Sequence, residues 1–380
     1  MTLDLPIAQD QIGAPDPRPV RVGMIGLGTI HAVHAEAFKR TAAGHGPNTR
    51  VHGDGDADAM RMPGTGLPGE IVAVCDTDAG RARQVSTDLG CAAYTDYSAL
   101  LNNADVDAVD ITLPHSLHYQ VASDALQSRK HVLVEKPMAP SSAQCRELIE
   151  LARQEGLVFT VAENTRFVHA YQEAKKLLDA GKIGQPRLIR TLVCGTEVER
   201  LRDRSLWKGR VDGTAGGTIM DAGPHSFYLL KWLCGPVASL RAFGSKLVDE
   251  SEVEDHAVVS GSLANGALFT SEFTFTSEMP WNERLEIHGT DGTIVVDQLA
   301  NPPLTIFKGE LDFFGTHQTS VIHDPAWWKG ASIVAGVADF VHAVHDRRPA
   351  TVDPWDGYYA MEIVEAAYRS FSNGGVVVIP

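Results

Sequence analysis

The stretch Val22-Gly23-Met24-Ile25-Gly26-Leu27-Gly28-Thr29-Ile30-His31 constrains the fold of this chain more than any other. An apolar run ends in Met24-Ile25, two glycines follow one residue apart, and an alanine-rich helical pattern runs over residues 32–40. That order is strand, tight turn, helix. Gly26 permits the turn and Gly28 lets the backbone approach a pyrophosphate. The helix N-terminus beyond adds N–H groups and a positive dipole. The third small residue of such a fingerprint falls at His31, so a glycine-rich turn that binds nothing stays open as the alternative.

Residues 70–76 read as a second buried strand ending in the carboxylate of Asp76. A carboxylate there accepts hydrogen bonds from the ribose hydroxyls of NAD and repels the 2′-phosphate of NADP. No Arg or Lys intervenes before Arg81, so NAD is preferred over NADP; otherwise Asp76 only caps the next helix. Further strands are expected at 106–114, 131–137 and 157–162. Helices are expected at 81–89, from 97 to 101, at 118–128 and from the capping Ser141 to 155. Strands alternating with helices predict a parallel, doubly wound sheet with its ligand at the carboxyl ends of the strands. Asp76, Thr112, Glu135, Lys136 and Asn164 all sit at or just past those ends.

A chain of 380 residues exceeds one ordinary core. The expected division is a flexible arm (1–19), a dinucleotide domain (20–164) and a second domain (165–380). Residues 44–69, rich in Gly, Pro, Asp and His, read as an inserted surface loop. Asp54-Gly55-Asp56-Ala57-Asp58 imitates the start of a calcium loop, but Ala59 and Thr65 stand where that loop needs Gly and Glu. No metal site is expected. After Arg166 the texture changes. Helices are expected at 171–180, 221–233, 333–345 and 358–372. Strand-like runs fall at 187–196, 239–243, 256–263, 267–276, 284–288, 293–297, 304–308 and 376–379. Asn265-Gly266 and Asp291-Gly292 are hairpin signals. These features predict an α+β domain with a large, open, mainly antiparallel sheet.

The formal charge of −15 argues against nucleic acid or an anionic membrane as partner. No apolar run approaches the roughly 20 residues of a membrane helix. The five scattered cysteines read as reduced thiols, and with no basic, apolar leader in residues 1–19 they point to the cytoplasm.

Two places carry candidate chemistry. Lys136 follows a buried strand between Glu135 and Pro137, and its ammonium suits the stabilisation of a developing oxyanion. The bland reading is a surface pair with Glu135. Asp221 and His225, four residues apart, share a helix face. An imidazole there suits accepting a proton from a secondary alcohol, and the carboxylate orients it or binds the same substrate; purely structural roles remain the alternative. Arg202, Arg204, Trp207, Lys208 and Arg210 fit either a substrate contact or a solvated loop, and Trp327-Trp328 either sugar stacking or packing.

Together these stretches resemble the glucose–fructose oxidoreductase, inositol dehydrogenase and rhizopine-catabolism family. The likeness runs from about Arg21 to the C-terminus, broken by the inserted loop. Its most specific pieces are Glu135-Lys136-Pro137, Gly216-Gly217 with Asp221 and His225, residues 108–118, and Gly181-Lys182-Ile183-Gly184. The resemblance implies a Rossmann domain followed by an α/β domain whose open sheet serves oligomerisation, here a homodimer or homotetramer. It implies Lys136, Asp221 and His225 as catalytic residues. Gly26, Gly28, Thr29, Ile30, Asp76, Thr112, Pro114, His118, Glu135, Lys136 and Asn164 are expected to line NAD. Arg166 and Tyr228 join Lys136, Asp221 and His225 as expected substrate contacts. Tyr228 stands where relatives often carry an acid, and the long insertion is a second departure. The implied activity is NAD-dependent interconversion of a secondary alcohol and a ketone on a sugar, glycoside or cyclitol. The rivals are a redox-recycling glycoside lyase or hydrolase with retained NAD, and a non-catalytic dinucleotide or sugar sensor.

Overall fold

The computed structural model describes residues 18–42, 69–103, 105–308, 318–322 and 329–379. Most of the expected arm and inserted loop, and Trp327-Trp328, lie outside the described residues.

The first sheet comprises β1 (Val20–Ile25), β2 (Gly69–Cys75), β3 (Ala92–Tyr94), β4 (Ala108–Ile111), β5 (His131–Val134) and β6 (Phe159–Val161). Its order is β3-β2-β1-β4-β5-β6, every pair parallel. This is the doubly wound arrangement that puts a crevice at the strand-order reversal beside β1. The strands are near-continuous apolar runs because helices cover both faces. Those helices are α1 (His31–Ala42), α2 (Ala79–Leu89), α3 (Tyr97–Leu101), α4 (His118–Gln127) and α5 (Ser142–Glu155). Local sequence sets their ends. The Asp78 side chain accepts from the N–H groups of Gly80 and Arg81 to start α2, Ser141 accepts from Gln144 N to start α5, and Gly90 and Gly156 close these helices in the left-handed region. β3 was not expected from sequence: three residues, two of them exposed alanines, carry no alternation to read.

The second unit adds α6 (His169–Asp179), β7 (Pro186–Cys194), α7 (Val198–Arg202), α8 (Val211–Thr214), α9 (Thr218–Cys234), β8 (Val237–Ser245), β9 (His256–Leu263), β10 (Leu268–Thr274), β11 (Asn282–Gly289), β12 (Thr293–Asp297), β13 (Leu304–Lys308), β14 (Gln318–Ile322), α10 (Lys329–His345), α11 (Pro354–Asn373) and β15 (Val377–Val378). Nine strands form one sheet, ordered β14-β13-β12-β11-β7-β10-β9-β8-β15. All pairs are antiparallel except β7 with β10. The expected open sheet is therefore present, and the two hairpin signals join β9 to β10 and β11 to β12.

α9 is buried nearly all round, from Thr218 to Cys234, because it lies between the large sheet and α11. α11 also packs on α5, tying the two units together. α10 belongs spatially to the first unit: Val334, Val337, Phe340 and Val341 pack with Val20, Val22 and Phe38. Its periodicity announced an amphipathic helix but could not say which layer it would cover. Among the described residues no helix is long and apolar enough to cross a membrane, and no cluster of His, Cys, Asp and Glu has the form of a metal site.

Candidate active site

A cleft of about 1300 Å³ opens where the carboxyl ends of β1, β2, β4 and β5 meet α9 and the α7–α8 segment. Its floor begins at the glycine turn. Gly26 has φ +94°, and a Cβ there would lie 2.7 Å from the Thr112 carbonyl oxygen, so only glycine fits. Thr112 locks the turn from β4, its hydroxyl donating to the Gly26 carbonyl at 2.5 Å. At Gly28 an added Cβ would meet nothing within 4 Å, which leaves bare backbone beside the start of α1. Asp76, at the end of β2, accepts from Leu27 N at 3.0 Å and from Asp78 N at 2.9 Å, and pairs with Arg81 at 3.0 Å. Asp78, not Asp76, caps α2. A bare glycine backbone, a helix N-terminus and a fixed carboxylate one strand over suit a dinucleotide's pyrophosphate and ribose. Thr29, Ile30, Pro114, Glu135, Lys136 and Asn164 line the same cleft.

The opposite wall comes from α9. Its N-terminus is held by Glu254, whose carboxylate accepts from Gly217 N at 3.1 Å, Ile219 N at 3.0 Å and the Tyr368 hydroxyl at 2.9 Å. Gly217 is required at that junction, since a Cβ would come within 1.9 Å of the Glu254 carbonyl oxygen. Burial pushes the Glu254 carboxyl above its ordinary value despite these donors.

With α9 so placed, Asp221 and His225 face the cleft, but they do not pair. Asp221 accepts from Lys136 Nζ at 2.5 Å, with the Asp221 carbonyl oxygen a further 3.0 Å acceptor for that ammonium. Its other oxygen accepts from Lys208. Burial alone would raise the Asp221 carboxyl, yet Lys136 and Lys208 hold it well below the usual range. Burial likewise opposes the Lys136 ammonium, but Asp221 and Glu135 raise it above its ordinary value. The Lys136–Asp221 unit is thus an ion pair, and burial makes it costly to break.

His225 is oriented by Glu163 instead. Its Nδ1 lies 2.7 Å from Glu163 Oε1, and both side chains are almost fully buried. The same oxygen accepts from Thr165 N at 3.2 Å and the Thr165 hydroxyl at 2.6 Å. Sequence reasoning missed Glu163, although a carboxylate directly after a buried strand, next to the expected Asn164, was the available signal. The sequence-based expectation that Asp221 orients His225 is corrected here: two lysines from other elements claim both its oxygens.

Three further expectations are displaced. His118 is fully buried behind the wall, with Nδ1 2.7 Å from the Pro137 carbonyl and Nε2 2.9 Å from the Leu113 carbonyl. It braces the turns after β4 and β5, and burial keeps its imidazole below the ordinary value. His115 takes the place at the cleft, 3.7 Å from Asp221 and edge-on to Trp207, and burial lowers its pKa to about 3. Arg166 stacks its guanidinium on the Trp232 ring at 4.2 Å. Tyr228 is 3% exposed and borders a small cavity behind Pro137 and Met138. Three residues past His225, its side chain leaves about 60° round the helix and misses the cleft. Of the charged segment offered as substrate contact or loop, Trp207, Lys208 and Arg210 line the cleft.

Comparison with known proteins agrees with this architecture. Residues 20–163 match the family model described as oxidoreductase family, NAD-binding Rossmann fold, and residues 171–295 match the GFO/IDH/MocA C-terminal domain. The chain is 34% identical over 244 residues to dTDP-3,4-didehydro-2,6-dideoxy-alpha-D-glucose 3-reductase of Streptomyces violaceoruber, covering 62% of this chain and 67% of that protein. It is 26% identical to scyllo-inositol 2-dehydrogenase (NAD(+)) of Bacillus subtilis (strain 168), over 82% of this chain and 89% of the relative. Among solved structures, levoglucosan dehydrogenase in complex with NADH shares the fold at a TM-score of 0.83 and 20% identity, covering 96% of this chain and 100% of that one. This chain therefore belongs to the NAD-binding GFO/IDH/MocA oxidoreductase family, the family its glycine turn, Glu135-Lys136-Pro137 and Asp221/His225 pair resemble.

Proposed function

We propose that the protein interconverts a secondary alcohol and a ketone on a sugar, glycoside or cyclitol, with NAD(H) as redox partner and NAD preferred over NADP. The observation that carries this reading is the convergence of Lys136, Asp221 and His225 on one cleft with the glycine turn. Bound NAD supplies the hydride acceptor. The chain's own residues handle the proton and the charge. With Glu163 accepting from Nδ1–H, the proton of neutral His225 sits on Nδ1 and Nε2 is the basic nitrogen. Nε2 takes the hydroxyl proton as the alkoxide develops, and Glu163 steadies the imidazolium that results. The Lys136 ammonium, anchored by Asp221, donates to the oxygen that becomes the carbonyl and stabilises its negative charge. Reduction runs the same steps in reverse, with the proton returning from Nε2 to the substrate oxygen. The sugar or cyclitol class draws support from what the reductase and inositol dehydrogenase relatives are named for.

We also propose a homo-oligomer built on the large sheet. Phe243 faces Val258 across β8 and β9, Leu268 faces Leu188 across β10 and β7, and all four are exposed. Two exposed apolar pairs on one sheet face, with the polar and charged row of Arg241, Ser260, Thr270 and Arg190 between them, suit a covering partner that is itself mixed in character, and a second copy of the same face supplies one.

The test is the absorbance of reduced nicotinamide. Purified protein is mixed with NAD or NADP and a panel of sugars, glycosides and inositols. Reduction of NAD with one substrate class is the expected result. Silence across the panel, with NAD recovered from the denatured protein, refutes net dehydrogenation.

A further inference from the structure

Behind the cleft wall, α1 sends His34 into the sheet. The imidazole is fully buried and sits between two carboxylates from two strands. Nδ1 lies 3.0 and 3.1 Å from the two Asp110 oxygens on β4, and Nε2 lies 3.1 Å from Glu135 Oε1 just past β5. A neutral imidazole has one N–H, so it can serve only one of these neighbours and would turn a lone pair on the other. Carboxylates on both ring nitrogens are satisfied together only when both nitrogens carry protons. Asp110 has no exposed surface, in the middle of a parallel strand, and His34 is the partner its side chain meets there.

Glu135 is where this pair reaches the cleft. It lines the dinucleotide pocket and precedes Lys136 directly. The charges therefore alternate through Asp110, His34 and Glu135, and again, from the next residue along the chain, through Lys136, Asp221 and Lys208.

We propose, on the reading of the site given above, that His34 is a positioning residue that keeps the Glu135 carboxylate charged and fixed in the cleft wall, and that this anion biases the site toward the oxidised cofactor. Oxidised nicotinamide carries a positive charge that the reduced ring lacks, so a fixed anion at the strand end favours it. His34 thereby joins the helix that begins at the glycine turn to the segment that carries the catalytic lysine. The direction of both titrations agrees with the geometry. Burial would lower His34, but Asp110 and Glu135 raise it to about 10. Burial would raise Glu135, but His34 and Lys136 hold it below its ordinary value.

The other groups facing this pair are already engaged. Glu163 and Asp339 border the small cavity beside His34 and Glu135. Glu163 holds His225 and Thr165, while Asp339 holds Arg348 and Thr351. His118, on α4, spends both nitrogens on backbone carbonyls.

The experiment measures NAD⁺ and NADH affinities by calorimetry, without substrate, between about pH 5.5 and 8.5. Wild type is compared with the paired variant His34→Gln/Asp110→Asn, which removes the buried His34–Asp110 ion pair as a unit and leaves Glu135, at the cleft, as the one carboxylate without that cation. In wild type the preference for NAD⁺ over NADH is expected to stay flat across this range. In the pair, Glu135 has lost its cation and takes up a proton toward the acid end, and the preference falls by about tenfold. Glu135→Gln is expected to show the low preference at every pH, which fixes the effect to that carboxylate and serves if the pair does not fold. A preference and pH dependence in the pair equal to wild type, or an unchanged preference in Glu135→Gln, overturns the proposal. Wild-type protein that binds neither cofactor form refutes the functional reading itself, not the role of His34.

Discussion

Replacing Glu163 by Gln isolates the role of the buried carboxylate that orients His225. The substitution keeps size and shape. Its amide oxygen still accepts from Thr165, whose N–H and hydroxyl lie 3.2 and 2.6 Å from Glu163 Oε1. What disappears is the negative charge 2.7 Å from His225 Nδ1. Both side chains are nearly out of solvent, at 6% and 4% exposure, so water does not screen the loss. A hydrogen bond to a charged group is worth about 1.5–3 kcal/mol. Because the imidazolium forms only as the substrate hydroxyl ionises, most of that loss falls on the transition state, and kcat drops by about 10- to 150-fold. If the Gln amide turns its NH₂ toward Nδ1, the ring proton moves to Nε2 and the base is lost outright, which places the effect at the upper end. The assay is NADH formation at saturating substrate, alongside calorimetric NAD binding. Binding is expected to be unchanged, since Glu163 does not line the dinucleotide cleft. A kcat within about twofold of wild type refutes the assignment of Glu163 as the residue that orients the base.

Three other substitutions probe the remaining parts. Lys136→Ala removes the ammonium paired with Asp221 and is expected to lower kcat by about 10²- to 10³-fold at saturating NAD; near-normal turnover refutes the oxyanion role. Asp76→Ala releases Leu27 N and Arg81 and takes a carboxylate from the expected ribose position. The ratio of kcat/KM for NAD over NADP is expected to fall by about tenfold, and an unchanged ratio refutes that placement. Glu254→Gln tests the cap on α9 through pH. Burial raises the folded-state carboxyl above its unfolded value, so the Glu254 contribution to stability is fully present where the group is protonated and is lost as pH climbs above the ordinary carboxylate range, a decline set against the rise contributed by the depressed His115 and His118. Gln keeps an acceptor for Ile219 and Tyr368 but turns an NH₂ toward Gly217 N, which retains only the Tyr368 hydroxyl, so the variant is expected to be less stable overall yet to show a flatter decline in denaturant melts between about pH 4.5 and 7. A decline identical to wild type shows that another group causes it. Asp221 does not confuse the result, because its depressed carboxyl adds stability lost only as pH falls below the ordinary range.

Much of the architecture is legible along the chain because it is local. Apolar runs bounded by capping residues give β1, β2, β4 and β5, and Asn-Gly and Asp-Gly turns give the hairpins. Gly26, Gly28 and Asp76 stand out because a tight turn and a strand end restrict what fits there. Residues at strand ends are likewise predictable, since a doubly wound sheet delivers all its carboxyl ends to one crevice. Lys136, Asn164 and Thr112 reach the cleft for that reason alone.

What could not be read are the partners of the charged side chains, because partnership is set by how elements dock. Asp221 and His225 share a helix face, and helical spacing makes them appear to be a pair. Docking gives each a separate counterpart: Lys136 and Lys208 for the carboxylate, Glu163 for the imidazole. The separation has a chemical consequence. A carboxylate neutralised by two ammonium groups is a poor orienter of a base, and a base tied to its own carboxylate leaves the lysine free to act on the substrate oxygen. The same logic places His34, 101 residues from Glu135 in sequence, between that carboxylate and Asp110. Helical position marks it only as one more residue on α1. Once α1 docks on the sheet, each nitrogen meets a carboxylate, Asp110 fully buried and Glu135 opening on the cleft, and only a ring protonated on both nitrogens serves the two together. The charge state of the cleft is therefore a property of sheet order, in which β1 lies beside β4 and β4 beside β5, more than of any motif along the chain.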